Sequence, residues 1–422
     1  MASTRVSLKS FLATARKALA APPSQRPNPL TFVVGNESAD LDSLCSALLY
    51  AYFRTHTPPH TLHVPLSNLP RADLALRSEL NAVFRTTSIT PQDLITLSDL
   101  PSPSDLSPES TRWLLVDHNV LTGDLAKRFS SAQIIGCIDH HDDEGVIPSS
   151  CSPRLFAKCG SCMSLVIDQA KDAWSSPSET DAELARVALA PILIDTFNLT
   201  SKNKVTDWDI KAAEFAEAKR SAAPPQVFSL SSSQPNTESP SEKLEKGEAQ
   251  KEEKYDRKKY FDLLTTLKDD ISHLSYRDIL RKDYKRWSDG GFSLGVSTIV
   301  QGLNTCFSEI GNQKELLDAL KGWAQEENLD ITACMTVSRP DGVFTRELLV
   351  WALNEDAVKV TKKFVEKNSR ELGLEAWNGD DKSLDLEEEK EWRRCWRQTN
   401  VAHSRKQVAP MLREAMKDVA KL

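Results

Sequence analysis

Along the first half of the chain, short apolar runs that stop at acidic residues alternate with stretches of helical spacing. Leu30–Val34 (LTFVV) ends at Gly35 and Asn36, which predicts a buried strand followed by a turn. From Asp42 to Phe53 the apolar positions recur at helical spacing, with Asp or Ser available as a cap. Trp113–Val116 and Gln133–Ile138 are two more apolar runs, each followed by an aspartate. Helical segments are expected around 71–83, 160–172 and 181–194. An amphipathic first helix would carry Val6, Phe11, Leu12, Ala15 and Leu19 on one face. Strands alternating with helices predict a parallel sheet covered on both faces. Active sites of such sheets lie beyond the carboxyl ends of the strands.

The pattern changes near residue 221. Up to about 256, Ser, Pro, Glu, Lys and Gln replace the apolar periodicity, which predicts a disordered linker or insertion. A helical pattern resumes over 260–287. A strand over Phe292–Val300, a helix around 312–326 and strands over Ile331–Val337 and Glu347–Ala352 then follow. The expected fold is α/β: a parallel-sheet domain over 1–215, a linker over 216–256, and a smaller α+β domain over 257–422.

Composition narrows the function. The 422 residues carry 60 acidic and 53 basic side chains, a net charge of −7, which argues against a general nucleic-acid binder. No apolar run approaches the length of a membrane span. Eight cysteines form no disulfide framework, and the CxxC of Cys159 and Cys162 lacks a second pair, so reduced thiols in a cytoplasmic protein are expected. Residues 1–36 lack Asp and Glu but include Arg5, Lys9, Arg16, Lys17 and Arg26, which would also suit a mitochondrial fraction.

The unusual residues cluster after the apolar runs. They are Gly35-Asn-Glu-Ser-Ala-Asp40-Leu-Asp42, Asp117-His118-Asn119, Asp139-His140-His141, and Asp195 after a fourth run. Singly, Asp40 and Asp42 read as helix caps, Asp195 as a turn residue or cap and His118 as a hydrogen-bonded turn histidine. As a set, four acidic strand exits with imidazoles and no thiolates suit a pair of divalent cations of the Mn, Mg or Co kind.

The order GNESADLDS, VDHN, IDHH, ILIDT resembles the four motifs of the DHH phosphoesterase family. The second half is similar to the DHH-associated domain of family II inorganic pyrophosphatases and fungal-type exopolyphosphatases. KCGSCMSLV (158–166) and SRKQVAP (404–410) are similar to further segments of that family. The resemblance implies that Asp40 ligates a first metal, that Asp42, His140 and Asp195 ligate a second, and that Asp117 bridges both. Asn36 occupies a further ligand position. It also implies that His141 faces the substrate as proton or hydrogen-bond donor, that Asp139 orients the histidines, and that Lys285, Arg405 and Lys406 hold phosphate oxygens.

Pyrophosphatases of this type carry His where this chain has Asn36, so the version here resembles the exopolyphosphatase branch, which includes the prune proteins. Those tend to Asp-His-Arg at the third motif, whereas this chain keeps both histidines. The implied activity is release of orthophosphate from the end of inorganic polyphosphate. It would take place in an interdomain cleft, with two Mn²⁺ or Mg²⁺ ions (or Co²⁺), in a monomer with no nucleic-acid or membrane partner. A pyrophosphatase, a nucleotide phosphodiesterase and a prune-like partner-binding protein are the alternatives.

Overall fold

The computed structural model describes residues 5–222, 255–377 and 384–421. In the first part, α1 (Leu8–Ala20), β1 (Leu30–Val34), α2 (Leu41–His56), β2 (His63–Leu66) and α3 (Glu79–Phe84) precede β3 (Thr111–Val116). Next come α4 (Gly123–Arg128), β4 (Gln133–Asp139), β5 (Arg154–Phe156), α5 (Cys162–Ala170), α6 (Asp181–Asp195) and α7 (Asp207–Ala222). Five strands pair here as a sheet in the order β2-β1-β3-β4-β5, every pair parallel. Alternation along the strands covers both faces. Val33, Leu114, Val116 and Ile138 pack with α2, α5 and α6, whereas Phe32, Val34, Trp113 and Leu115 pack with Leu19 and Phe129.

Three expectations are corrected in this domain. Val6 is exposed, because α1 begins only at Leu8 after its Ser7 cap. The helix expected over 71–83 is broken: a 3₁₀ turn (Arg71–Leu76) precedes α3, and non-helical Arg77 lies between them. Buried Arg77 spends its guanidinium on the carbonyls of Ser38 and Ala39, at 2.5 and 2.9 Å, instead of continuing the helix. Asp195 follows no strand; it is the last residue of α6.

The second part holds α8 (Arg257–Asp269), α9 (Tyr276–Lys282), β6 (Tyr284–Asp289), β7 (Phe292–Ile299), α10 (Leu303–Glu309), α11 (Gln313–Glu326) and β8 (Ile331–Thr336). It continues through β9 (Glu347–Ala352), α12 (Glu355–Leu372), β10 (Leu374–Ala376), β11 (Leu386–Glu387), β12 (Trp392–Gln398) and α13 (Arg405–Val419). Its mixed sheet has the order β10-β12-β9-β8-β7-β6, with β11 on β12. Residues 284–287, read as helix from their spacing, instead form a hairpin with β7. The turn is Gly290-Gly291, both at positive φ, as a two-residue hairpin requires.

The boundaries expected from composition are also corrected. Residues 216–222 finish α7, and residues 223–254 of the expected linker lie outside the described residues. Helix α8, assigned above to the second domain, packs its Tyr260 and Leu264 into the first core. The Tyr260 hydroxyl donates to the Arg186 carbonyl at 3.1 Å, and the Arg186 guanidinium lies 4.3 Å from the ring centre. The chain therefore crosses to the second sheet after Asp269. Arg281 of α9 pairs with Asp73 across the junction, and the Ser78 hydroxyl donates to the Leu267 carbonyl. Among the described residues, no helix is long and apolar enough to cross a membrane.

Candidate active site

The site lies where β1, β3 and β4 end. Gly35 lets the exit of β1 press against α2: a Cβ there would lie 2.5 Å from that of Ser43. Asp40 then caps α2, with its Oδ1 accepting from the Ser43 amide at 3.0 Å. Asp117, after β3, takes a left-handed conformation (φ 60°), which an aspartate tolerates better than a branched residue. That turn aims its carboxylate back over the sheet edge. Oδ1 meets His140 Nε2 at 3.2 Å, and Oδ2 accepts from the Ser43 hydroxyl at 2.6 Å and the Asn36 amide at 2.8 Å.

His140 points one nitrogen outward and one inward. Its Nδ1 donates to the Cys159 carbonyl at 3.0 Å, which turns Nε2 toward the carboxylates, as in histidines that bind metals. Next to it, His141 Nδ1 meets Asp139 Oδ1 at 2.7 Å, leaving Nε2 as the nitrogen available to a substrate. Fully buried Asp139 is itself held by the Asn119 amide at 2.6 Å. Asp117, His140 and His141 thus offer ligand atoms within 4.8 Å of one another.

Asp42 and Asp195 complete an acidic ring. Asp42 meets the start of α5, accepting from the amides of Cys162 and Met163 at 2.7 and 3.0 Å and from the Ser161 hydroxyl at 2.8 Å. Only one of these donors reaches Oδ2, so a lone pair remains there for a cation. Burial and the charge of Asp117 push the Asp42 carboxyl well up; burial and Asp40 raise Asp195 to about 6. Burial would also lift Asp117, but the His140 hydrogen bond and both imidazole charges hold it below the usual range. His140 runs the other way, held well above the usual histidine range by Asp117 despite its burial. Four carboxylates that repel one another, Asp42 and Asp117 buried and Asp40 and Asp195 half-buried, with one imidazole among them, are a donor set that hard divalent cations would neutralise.

Asn36 is placed differently from its expected ligand position. Its nitrogen donates to Asp117 and its oxygen accepts from the Ser38 amide at 2.9 Å, so the side chain is spent on holding Asp117. A flipped amide would set oxygen against oxygen. His118 keeps its Nδ1 on the Val116 carbonyl at 2.9 Å, while its buried Nε2 has no hydrogen-bond partner.

The opposite wall belongs to the second domain. Arg405 opens α13 and donates to Asp283 at 2.7 Å and, across the cleft, to the Ser38 hydroxyl at 3.0 Å. Lys285, on β6, is half-buried, within electrostatic reach of Arg405, Asp117 and Asp40; desolvation and Arg405 lower its pKa. Lys406 is exposed and acts on His140 through its charge. Two basic residues that sequence reasoning missed face the ring from the first domain. Lys204 and Lys268 both interact with Asp195, and Lys204 also feels Lys406 and Arg346.

Comparison with known proteins decides the family. Residues 31–192 match the DHH family, N-terminal domain, and residues 262–415 match the DHHA2 domain. A Schizosaccharomyces pombe protein named "Putative exopolyphosphatase" is 32% identical over 403 residues, 92% of this chain and 92% of its own length. This chain belongs to the DHH family. Another relative of this DHH protein, "Exopolyphosphatase PRUNE1" of Rattus norvegicus, is 26% identical over 97% of this chain and 79% of its own. The "putative family II inorganic pyrophosphatase" of Methanococcus jannaschii shares the fold, with a TM-score of 0.57 and 19% identity over 92% of this chain and 99% of that one. DHH phosphoesterases depend on metals, and the carboxylate–imidazole ring of this DHH protein has the donor chemistry to hold them.

Proposed function

We propose that this DHH protein is an exopolyphosphatase that removes orthophosphate from the end of inorganic polyphosphate in the cytoplasm, acting as a monomer with two Mn²⁺ or Mg²⁺ ions. The observation that carries the reading is the pairing of two walls across one cleft. An acidic, imidazole-bearing ring at the first sheet edge faces Lys285 and Arg405 from the second domain. Asp40, Asp42, Asp117, His140 and Asp195 would hold the cations. When bound, these polarise phosphoryl oxygens and make water nucleophilic near neutral pH. His141, oriented by Asp139, presents Nε2 to the leaving phosphate as proton or hydrogen-bond donor. Arg405 and Lys285, with Lys406 beside them, neutralise charge on the phosphoryl oxygens. The further cations Lys204, Lys268 and Arg346 favour a long anionic chain over a single pyrophosphate.

Orthophosphate release from long-chain polyphosphate tests the reading, with Mg²⁺ or Mn²⁺, after chelation, and in His141→Ala. Metal-dependent release that falls at least about 100-fold in the variant is expected, from the usual worth of a positioned general acid. Rapid release from pyrophosphate or cyclic AMP, with none from polyphosphate, would overturn the substrate. Silence on all three would overturn the enzyme.

A further inference from the structure

The candidate ligands of the second cation share one support. Residues 158–162, from the end of β5 into α5, touch two of them, His140 and Asp42, and the neighbour of the third, Asp195. The Cys159 carbonyl accepts from His140; Ser161, with the amide of Cys162, binds Asp42. Gly160 lies against Thr196, the neighbour of Asp195, so closely that a Cβ would meet the threonine methyl at 2.5 Å.

This loop hangs on a side chain that ligates nothing. Asp209, in the first turn of α7, is fully buried. Its carboxylate accepts from the amides of Gly160 at 2.9 Å and Ser161 at 3.2 Å, and from the Ser164 hydroxyl at 2.7 Å. The amide and hydroxyl of Thr206 donate to the same group at 2.8 and 2.9 Å. Five donors converge on two oxygens, and a carboxylate, which offers only acceptors, meets them all. We propose that Asp209 is a positioning residue for the second cation. It acts through loop 158–162 to fix the tautomer of His140 and the rotamer of Asp42. The inference rests on the two-cation reading above.

Asp209→Asn keeps the volume but turns one acceptor into a donor, so either the Ser161 amide and Ser164 hydroxyl or the two Thr206 donors face an NH₂ group, and the grip on the loop weakens. Gly160→Ala moves the same loop without changing the Asp209 side chain, by crowding the Thr196 methyl at 2.5 Å and the Asp209 Oδ2 at 3.2 Å. Asn354→Ala is the stability control: it removes the cap of α12 in the second domain, where Asn354 accepts from the Ala357 amide at 2.9 Å.

The experiment is Mn²⁺ titration of the full chain, read by the EPR signal of free Mn²⁺, alongside melting temperature and KM. Wild type is expected to take up two ions. Asp209→Asn and Gly160→Ala should keep the first and bind the second about 10- to 100-fold more weakly. Excess Mn²⁺ should restore kcat with KM unchanged. Asn354→Ala should melt earlier yet bind both ions as wild type does. If Asp209→Asn does not fold, Gly160→Ala decides. Folded variants that bind both ions at wild-type affinity would overturn the proposal, and so would equal weakening in Asn354→Ala. Wild type binding no ion would overturn the two-cation reading itself, and the proposal with it.

Discussion

Replacing Asp195 with asparagine should stabilise the metal-free protein at neutral pH, although it removes a candidate ligand. Burial and the neighbouring charge of Asp40 raise the Asp195 carboxyl from the usual 3.8 to about 6. Between those values the folded chain binds more protons than the unfolded one, so stability falls as pH rises through the window. Above about pH 6 the full cost is present: some two units at about 1.36 kcal/mol each, or about 3 kcal/mol. A neutral amide of the same shape escapes it. At about 2–4 °C per kcal/mol for a domain of this size, chelated Asp195→Asn should melt roughly 6 °C or more above wild type at pH 7, with most of the advantage gone at pH 4. Saturating Mn²⁺ should reverse the order, because wild type then gains binding energy that the variant lacks. Thermal melts in EDTA at both pH values, then with Mn²⁺, make the check. Equal melting at pH 7 in chelator, or the same gain at both pH values, would refute the electrostatic account.

Two further predictions concern the second wall. Ser38→Ala removes the hydroxyl that meets Arg405 across the cleft, a bond worth about 1 kcal/mol, so kcat/KM for polyphosphate should fall roughly fivefold, mainly through KM. Steady-state kinetics at saturating metal would read it. Asp283 is held at about 2, where burial alone would raise it, because Arg405 and Lys285 favour its charged form. Its contribution is present above about pH 4 and lost as pH falls through 2, so acid melts of Asp283→Asn should be flatter across that window than those of wild type.

How far the sequence was legible depended on the kind of signal each residue leaves. Strands such as Leu30–Val34 and Glu347–Ala352 announce themselves, because a buried strand must be apolar and a turn must follow it. The acidic and histidine residues of the ring were visible because charged groups directly after apolar runs are costly without a purpose. Asn36 was the least legible: an amide offers oxygen or nitrogen, and only the neighbours Ser38 and Asp117 decide which faces inward. Lys204 and Lys268 look like any solvated lysine in a polar stretch, and their charge interaction with Asp195 arises only once the chain is folded. Asp209 was missed for a similar reason. Near the start of α7 it reads as an ordinary first-turn acid, and the loop it carries lies some fifty residues earlier. Tyr284–Asp289 failed because alternation with β7 competes with helical spacing over so short a stretch.

The docking of α8 on the first core has a consequence for how the family can diverge. Arg257 at the start of α8 grips Glu217 of α7 with two bonds of 2.7 Å, so the two flanks of residues 223–254 are pinned side by side on one body. A segment between pinned ends can lengthen, shorten or be cut with little entropic penalty and without moving either wall of the cleft. The span that does set the cleft is the few residues between Asp269 and Tyr276. Insertions should therefore accumulate in the charged stretch across related chains, while the short crossing keeps its length.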